Sequence, residues 1–189
     1  MHKKPQILAR HIVAQSRLFR VESFDLRFSN GVERTYERLL TGGSGAVMIV
    51  ALLDDDTVAL IREYGGGIDD YTLTLPKGAI DMGESLRSAC NRELQEEIGY
   101  AAQEFIWLKK LSLSPSYMSG GIDVVLARGL YPSVLEGDEP EPLELVPWPL
   151  DNLAELYGRA DCTEGRAIAA LALAQEFLAG HFQGETLTS

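Results

Sequence analysis

Between Gly78 and Tyr100 the chain reads GAIDMGESLRSACNRELQEEIGY. Four glutamates fall in this stretch, Glu84, Glu93, Glu96 and Glu97, with Arg92 directly ahead of the last three. On a helix turning about 100° per residue, Glu93, Glu96 and Glu97 share roughly one 100° arc. Like charges so spaced weaken a bare helix by about 0.2–0.5 kcal/mol per pair. A divalent cation reverses that sign. An oxygen-only set favours a hard cation, Mg2+ or Mn2+, over zinc. Magnesium held by a few carboxylates keeps positions open for water and for substrate phosphates, so attack of a water on phosphorus is the chemistry implied. The chain shows no Ser-His-Asp or Cys-His set to act as a nucleophile instead. His2, His11 and His181 lie near the ends of the sequence and read as surface residues.

A run such as Glu-Leu-Gln-Glu-Glu is ordinary on a solvated helix. The wider spacing is what sets this one apart. Seven fixed identities plus two aliphatic or aromatic positions match by chance on the order of 10⁻⁹ per start position.

The glutamates need a helix to hold them and a loop to face them. Residues 76–83 carry a proline, two glycines and Asp81, which predicts a loop. A helix is expected over 85–98, with Leu86, Cys90, Leu94 and Ile98 as its buried stripe and Gly99 as its stop. Cys90 is then a small core residue. Upstream, 46–53 is an almost continuous apolar run and reads as a buried central strand. Asp54 to Asp56 form a turn, and 57–64 and 71–75 are strands around a Gly65-Gly66-Gly67 break. Downstream, strands are expected over 104–112 and 122–130, with a polar loop at 114–121 between them. An acidic, proline-stiffened loop follows at 135–142, then a short strand at 143–146. Helices at 150–157 and from Thr163, taken as N-cap, to 178 close the chain, and 180–189 reads as a frayed tail.

Residues 1–44 read as a separate, β-rich extension, joined through Thr41-Gly42-Gly43-Ser44-Gly45 to a main domain at 45–189. The segments 18–22 and 24–28 alternate apolar and polar, Ser29-Asn30-Gly31 is a hairpin turn, and 32–40 is the return strand. Arg34, Tyr36 and Arg38 share one face of that strand. Such a hairpin is marginal alone, so it must pack on the main domain or on a second copy of the chain.

Composition narrows the field further. The 189 residues carry a formal net charge of −11, which argues against non-specific nucleic-acid binding. Only two cysteines, Cys90 and Cys162, are present, so a disulfide framework is not indicated and a reducing cytosol fits. The start, MHKKPQILAR, lacks the apolar core of a signal peptide, and no run approaches the ~18 apolar residues of a membrane helix. The expectation is a cytoplasmic protein without a membrane partner.

The Gly78–Tyr100 stretch resembles the signature of the Nudix hydrolases. Gly78, Glu84, Arg92, Glu93, Leu94, Glu96, Glu97 and Gly99 fill its fixed positions, with Tyr100 a loose fit at the last. The family implies an α/β (α+β) fold, an α/β/α sandwich around a mixed sheet, and cleavage of a nucleoside diphosphate linked to another moiety. By that resemblance Glu93 and Glu97 are metal ligands, and Glu96 is a further ligand or a base. Arg92 orients the glutamates, Glu84 supports them or holds a more weakly bound metal, and Lys77 offers a backbone carbonyl to the metal.

The rest of the chain looks like the ADP-ribose pyrophosphatase branch, and within it the bacterial ADP compounds hydrolases. The points of likeness are Phe28-Ser29-Asn30-Gly31, Tyr36-Glu37-Arg38, Ile61-Arg62-Glu63-Tyr64, Ser114-Pro115-Ser116-Tyr117 and the acidic loop from Leu135. In that branch the extension swaps or packs across a homodimer and helps to bind adenine. Arg34 and Tyr36 thereby become candidate substrate contacts from the partner, and Arg62, Ser114, Ser116 and Tyr117 join them. The acidic loop supplies a glutamate that positions the attacking water. Glu139 and Glu141 align with it, Glu141 also as a candidate metal ligand. Two departures stand out. Thr74 replaces the glutamate often found four residues before the opening glycine, and Gly65-Gly66-Gly67 replaces an arginine-bearing segment. Both point to loose recognition of the terminal ribose.

The reading is a Mg2+-dependent (Mn2+ also serving) diphosphatase acting on ADP-ribose, diadenosine polyphosphates or NADH and releasing AMP. Glu96 or Glu139 would handle the water. The alternatives are a pyrophosphatase for nucleotide sugars or nucleoside triphosphates, and a sensor that binds ADP-ribose without cleaving it.

Overall fold

The computed structural model describes residues 3–188, so His2 lies outside the described residues. The chain divides into two compact units. One comprises the residues up to Gly42 together with Ser112–Gly121, and the other Gly43–Leu111 and the residues from Ile122 onward.

In the larger unit the apolar run becomes β4 (Ala46–Leu52), buried on both faces. It is the centre of an eight-stranded mixed sheet. β5 (Thr57–Gly65), β6 (Asp70–Thr74), β7 (Lys77–Ala79), β8 (Tyr100–Ser112), β9 (Gly121–Pro132), β10 (Glu144–Pro149) and β11 (Glu185–Thr186) complete it. The order is β10-β5-β4-β9-β8-β11, with β6 on β5 and β7 on β4. β4 runs parallel to β9 and antiparallel to β5 and β7. Its Val47, Ile49 and Ala51 pack with Ala89, Cys90, Leu94 and Ile98 of the helix α1 (Leu86–Glu97). Met48, Val50 and Leu52 alternate to the opposite face and are equally buried. A third helix, α3 (Gly165–Leu178), contacts β4 and buries Ala167, Ala170, Leu171 and Ala174. The small residues of that stripe let α3 approach closely. Helix, sheet, helix is the expected sandwich.

Several elements differ from the sequence reading. The loop expected over 76–83 holds the short strand β7, because its main chain pairs Ala79, Gly78 and Lys77 with Ala46, Val47 and Met48 whatever its composition. Thr163 does not cap α3. The cap position is Glu164, with no side-chain cap bond, and the Thr163 hydroxyl lies 3.5 Å from that of Thr72 instead. The stretch expected at 150–157 is a 3-10 turn (Leu150–Asn152) followed by the short helix α2 (Leu153–Tyr157). The expected tail pairs with β8 as β11, Glu185 and Thr186 opposite Trp107 and Ile106.

The smaller unit is a three-stranded antiparallel sheet, β1 (Gln6–Gln15), β2 (Arg20–Arg27) and β3 (Glu33–Leu40), in that order. β1 was not expected, and the two segments read at 18–28 form the single strand β2. The turn at Asn30-Gly31 is present. Gly31 adopts φ 81°, where a Cβ would be strained. Across β2 and β3, Phe24 faces Tyr36 and Glu22 faces Arg38. Arg38 pairs with the buried Glu22 at 2.7 Å and lies over the Phe24 ring. The loop Ser112–Gly121 is fastened to the end of β3. The Leu39 N–H donates to the Tyr117 carbonyl at 2.7 Å, and the Ser119 N–H donates to the Leu39 carbonyl at 2.9 Å.

Candidate active site

α1 begins at Ser85, whose hydroxyl accepts the Ser88 N–H, and its apolar stripe is sealed into the core. That fixes the helix rotation and turns Arg92, Glu93, Glu96 and Glu97 toward one cleft. The cleft has a volume of about 600 Å³ and is lined by Lys77 to Ala79, Asp81, the α1 residues and Glu136 to Glu139. β7 delivers the near wall. Its pairing to β4 sets Gly78 directly beneath Glu93, where a Cβ would stand 2.1 Å from the Glu93 carboxylate carbon. A side chain at this position would displace the Glu93 carboxylate from its bond to Arg92.

Arg92 is the hub. Its guanidinium donates to Glu84 at 3.0 and 3.1 Å, to Glu93 at 2.7 Å, to Glu96 at 3.0 Å and to the Ala79 carbonyl at 2.8 Å. These bonds hold Glu84 below the usual carboxylate range and keep Arg92 charged at any accessible pH. Glu97 is not on this hub. Its carboxylate accepts the Lys77 main-chain N–H at 3.0 Å. Burial pushes Glu97 up to about 8, the Lys77 ammonium and N–H oppose that rise, and the Glu93 and Glu63 charges add to it. Burial also raises Glu93, against the pull of Arg92. Glu139 is raised first by burial, then by the charges of Glu63 and Asp138.

Seven carboxylates line the cleft, Asp81, Glu93, Glu96, Glu97, Glu136, Asp138 and Glu139, against the cations Lys77 and Arg92. The donors are all oxygen, and three of them are held at a disadvantage as anions by burial. A hard divalent cation fits both facts. Among the described residues no three His, Cys, Asp or Glu side chains are already drawn into a metal-binding group. Glu93 and Glu96 each give one carboxylate oxygen to Arg92, which leaves the other oxygen of each for ligation.

The structure gathers Lys77, Arg92, Glu93, Glu96, Glu97 and Glu139 around this cleft. Glu141 is elsewhere, where its carboxylate accepts the Tyr71 hydroxyl. Arg62 is also outside the lining. It donates to Glu144 and to Asp161, at 2.9 Å each. Arg34, Tyr36, Ser114, Ser116 and Tyr117 all belong to the smaller unit. There Tyr36 packs its ring 6.0 Å from Phe24 and 6.3 Å from Phe28, with its face partly open. Arg34 donates to the Glu33 carbonyl, and the Ser114 carbonyl accepts the Tyr117 and Met118 N–H groups.

Sequence reasoning missed Asp81, Glu136 and Asp138 as cleft residues, and it missed Glu63, whose carboxylate pairs with the Lys77 ammonium. Glu63 left one usable signal. It follows the buried Val58-Ala59-Leu60-Ile61 at a position whose alternation puts it on the face of Ile61, the α1 side of the sheet.

Two family models match the chain. A NudE-type Nudix hydrolase N-terminal domain covers residues 5–38, and a NUDIX domain covers residues 44–156. The chain is 52% identical to the ADP compounds hydrolase NudE of Escherichia coli (strain K12), over 94% of this chain and 95% of that one. It is 25% identical to an ADP-ribose pyrophosphatase of Bacillus subtilis (strain 168), over 78% and 80% of the two chains. A crystal structure of an ADP compounds hydrolase superposes with a TM-score of 0.87 at 50% identity, covering 96% of this chain and 97% of that one. With the signature folded as α1 and its loop, the chain belongs to the Nudix hydrolases and is an enzyme of that family.

Proposed function

We propose that this enzyme hydrolyses the diphosphate linkage of ADP-containing compounds, ADP-ribose, diadenosine polyphosphates and NADH among them, and releases AMP. The observation that carries the reading is the oxygen-only cleft, built by α1, β7 and the acidic loop on the Nudix spacing. Likeness over nearly the whole chain to a protein named for ADP compounds supports the substrate class.

Glu93, Glu97 and Glu96 would hold a divalent cation, Mg2+ or Mn2+, with the Lys77 carbonyl as a further ligand. Such an ion neutralises phosphate charge and lowers the pKa of a bound water. Arg92 sets the rotamers of the glutamates through its bonds to Glu84, Glu93 and Glu96. Glu139 orients the attacking water and takes its proton, with Glu96 the other candidate base. Glu139 suits this task because burial and like charges favour its protonated form.

Arg34 and Tyr36, with Ser114, Ser116 and Tyr117, contact the nucleotide from a second copy of the chain. Exposed apolar residues of the smaller unit support a homodimer through it, including Ile12 at 50%, Val13 at 53% and Phe19 at 56% exposure. Two free, buried cysteines suit a cytoplasmic enzyme. Among the described residues no helix is long and apolar enough to cross a membrane.

The test is incubation with Mg2+ and ADP-ribose, diadenosine triphosphate, NADH, a nucleotide sugar or a nucleoside triphosphate in parallel. AMP from the first three at the highest kcat/KM is expected. Preference for the last two would move the substrate class, and binding of ADP-ribose without AMP would make the protein a sensor. Sedimentation at micromolar concentration should show a dimer, and a monomer there would refute the pairing.

A further inference from the structure

Lys77 is tied to the acidic side chains at both ends. Its main-chain N–H donates to Glu97 at 3.0 Å, and its ammonium is bonded to Glu63 on β5. The pair is well shielded, with side-chain exposures of 16% for Lys77 and 24% for Glu63. Lys77 lines the same cleft as Glu97 and Glu139. Lys77 therefore has three acidic side chains within its influence and is bonded through its side chain to Glu63 alone among them. A flexible lysine set among carboxylates pairs with whichever is nearest and best oriented. Paired to Glu97 or Glu139, it would occupy the oxygens that a divalent cation needs.

We propose that Glu63 is a positioning residue that tethers the Lys77 ammonium and so keeps Glu97 and Glu139 free for the metal and the water. This deepens the proposed metal-dependent reading and rests on it. Glu63 touches neither reacting atom. It acts through Lys77, and its effect should vanish when the ammonium is removed. Simple charge attraction between Glu63 and the cation would instead persist without Lys77.

A double-mutant cycle separates the two. Mn2+ binding to the full chain is followed by the loss of the free-ion EPR signal, in wild type, Glu63→Gln, Lys77→Met and the double variant. Thermal melts verify folding of each. Glu63→Gln should raise the half-saturating Mn2+ concentration about five- to tenfold, the coupling usual for contacting side chains. In the Lys77→Met background the same substitution should change it less than about twofold. kcat at saturating Mn2+ should recover in Glu63→Gln, because the released ammonium competes with the cation and leaves the ligands intact. Equal shifts in both backgrounds would overturn the tether and leave a long-range charge effect. If Glu63→Gln and wild type bind alike, the tether also falls. A wild-type chain that binds no Mn2+ would defeat the metal reading itself, and the tether with it.

Discussion

The two compact units treat their functional side chains in opposite ways. In the larger one, every glutamate of α1 that faces the cleft is fastened. Glu93 and Glu96 are fixed by Arg92, and Glu97 by the Lys77 N–H. The scaffold beneath them is a fully buried strand and a helix sealed by its apolar stripe. In the smaller one, Arg34 and Tyr36 stand on a sheet whose first strand is exposed at nearly every position. Chemistry that fails when misplaced by an ångström sits on rigid elements. On the proposed reading, recognition of the ADP compounds would fall in part to this open sheet. The contrast predicts that substitutions in the first region act on kcat and those in the second on KM.

Glu97→Gln is the sharpest test of that division. Burial raises Glu97 to about 8, so below that pH the metal-free fold already holds a neutral carboxyl there and a neutral Gln should leave the fold standing. If Glu97 is the proposed metal ligand, kcat for ADP-ribose should fall by orders of magnitude. Steady-state kinetics with Mg2+, alongside a thermal melt, reads both. Activity near wild type would take Glu97 out of the metal site.

How far the sequence could be read follows the same line. At α1 the clustering of the glutamates was legible from spacing and the places of Gly78 and Arg92 from the resemblance, and the structure brings them to one cleft. β7 was hidden because main-chain pairing to β4 needs no particular side chains, so its Pro and Gly neighbours read as a loop. β1 was hidden because irregularities between Ile7 and Ala9 and between Ile12 and Ala14 break the two-residue alternation. Glu63 meets Lys77 only through tertiary folding, fourteen residues apart on different strands. β11 has two residues, too few for any pattern.

On the open sheet, Tyr36→Ala should raise KM for ADP-ribose about tenfold with little change in kcat, as expected if the ring stacks on a base for ~1–3 kcal/mol. A kcat defect of the same size would erase the distinction between the units.

Acid–base linkage offers a smaller but cleaner contrast. Glu97 ordinarily titrates near 4.5 and is raised to about 8 in the metal-free fold. Between these values the folded chain holds a proton that the unfolded chain has lost. Stability conferred by protonated Glu97 is therefore full below about 4.5, falls as pH rises, and is gone above about 8. Melting temperature of the chelator-treated protein should decline across that window, and Glu97→Gln should flatten the decline. Mg2+ or Mn2+ should restore more stability at the alkaline end, where the carboxylate is ready to ligate. Tyr36→Ala removes no carboxylate, so it should leave the pH profile unchanged.

Arg62 is where the structure and the resemblance diverge, and its predicted effect is the smallest. The resemblance makes it a substrate contact, whereas its guanidinium joins Glu144 on β10 to Asp161 beside the free edge of β6. The Asp161 carboxylate, bonded also by Arg159 at 2.8 Å, is held well below its usual range by these guanidinium groups. Arg62 is 30% exposed, so solvent screens the pairs and Arg62→Ala should cost only about 1 kcal/mol of stability. KM and kcat should both stay within about twofold of wild type. Losing one of Asp161's two guanidinium partners loosens the segment that runs along β6, whose Leu73 N–H donates to the Asp161 carbonyl at 2.7 Å. Amide exchange at Leu73 should therefore quicken before activity changes. A tenfold rise in KM with unchanged exchange would place Arg62 on the substrate, and would extend nucleotide recognition from the open sheet into the larger unit.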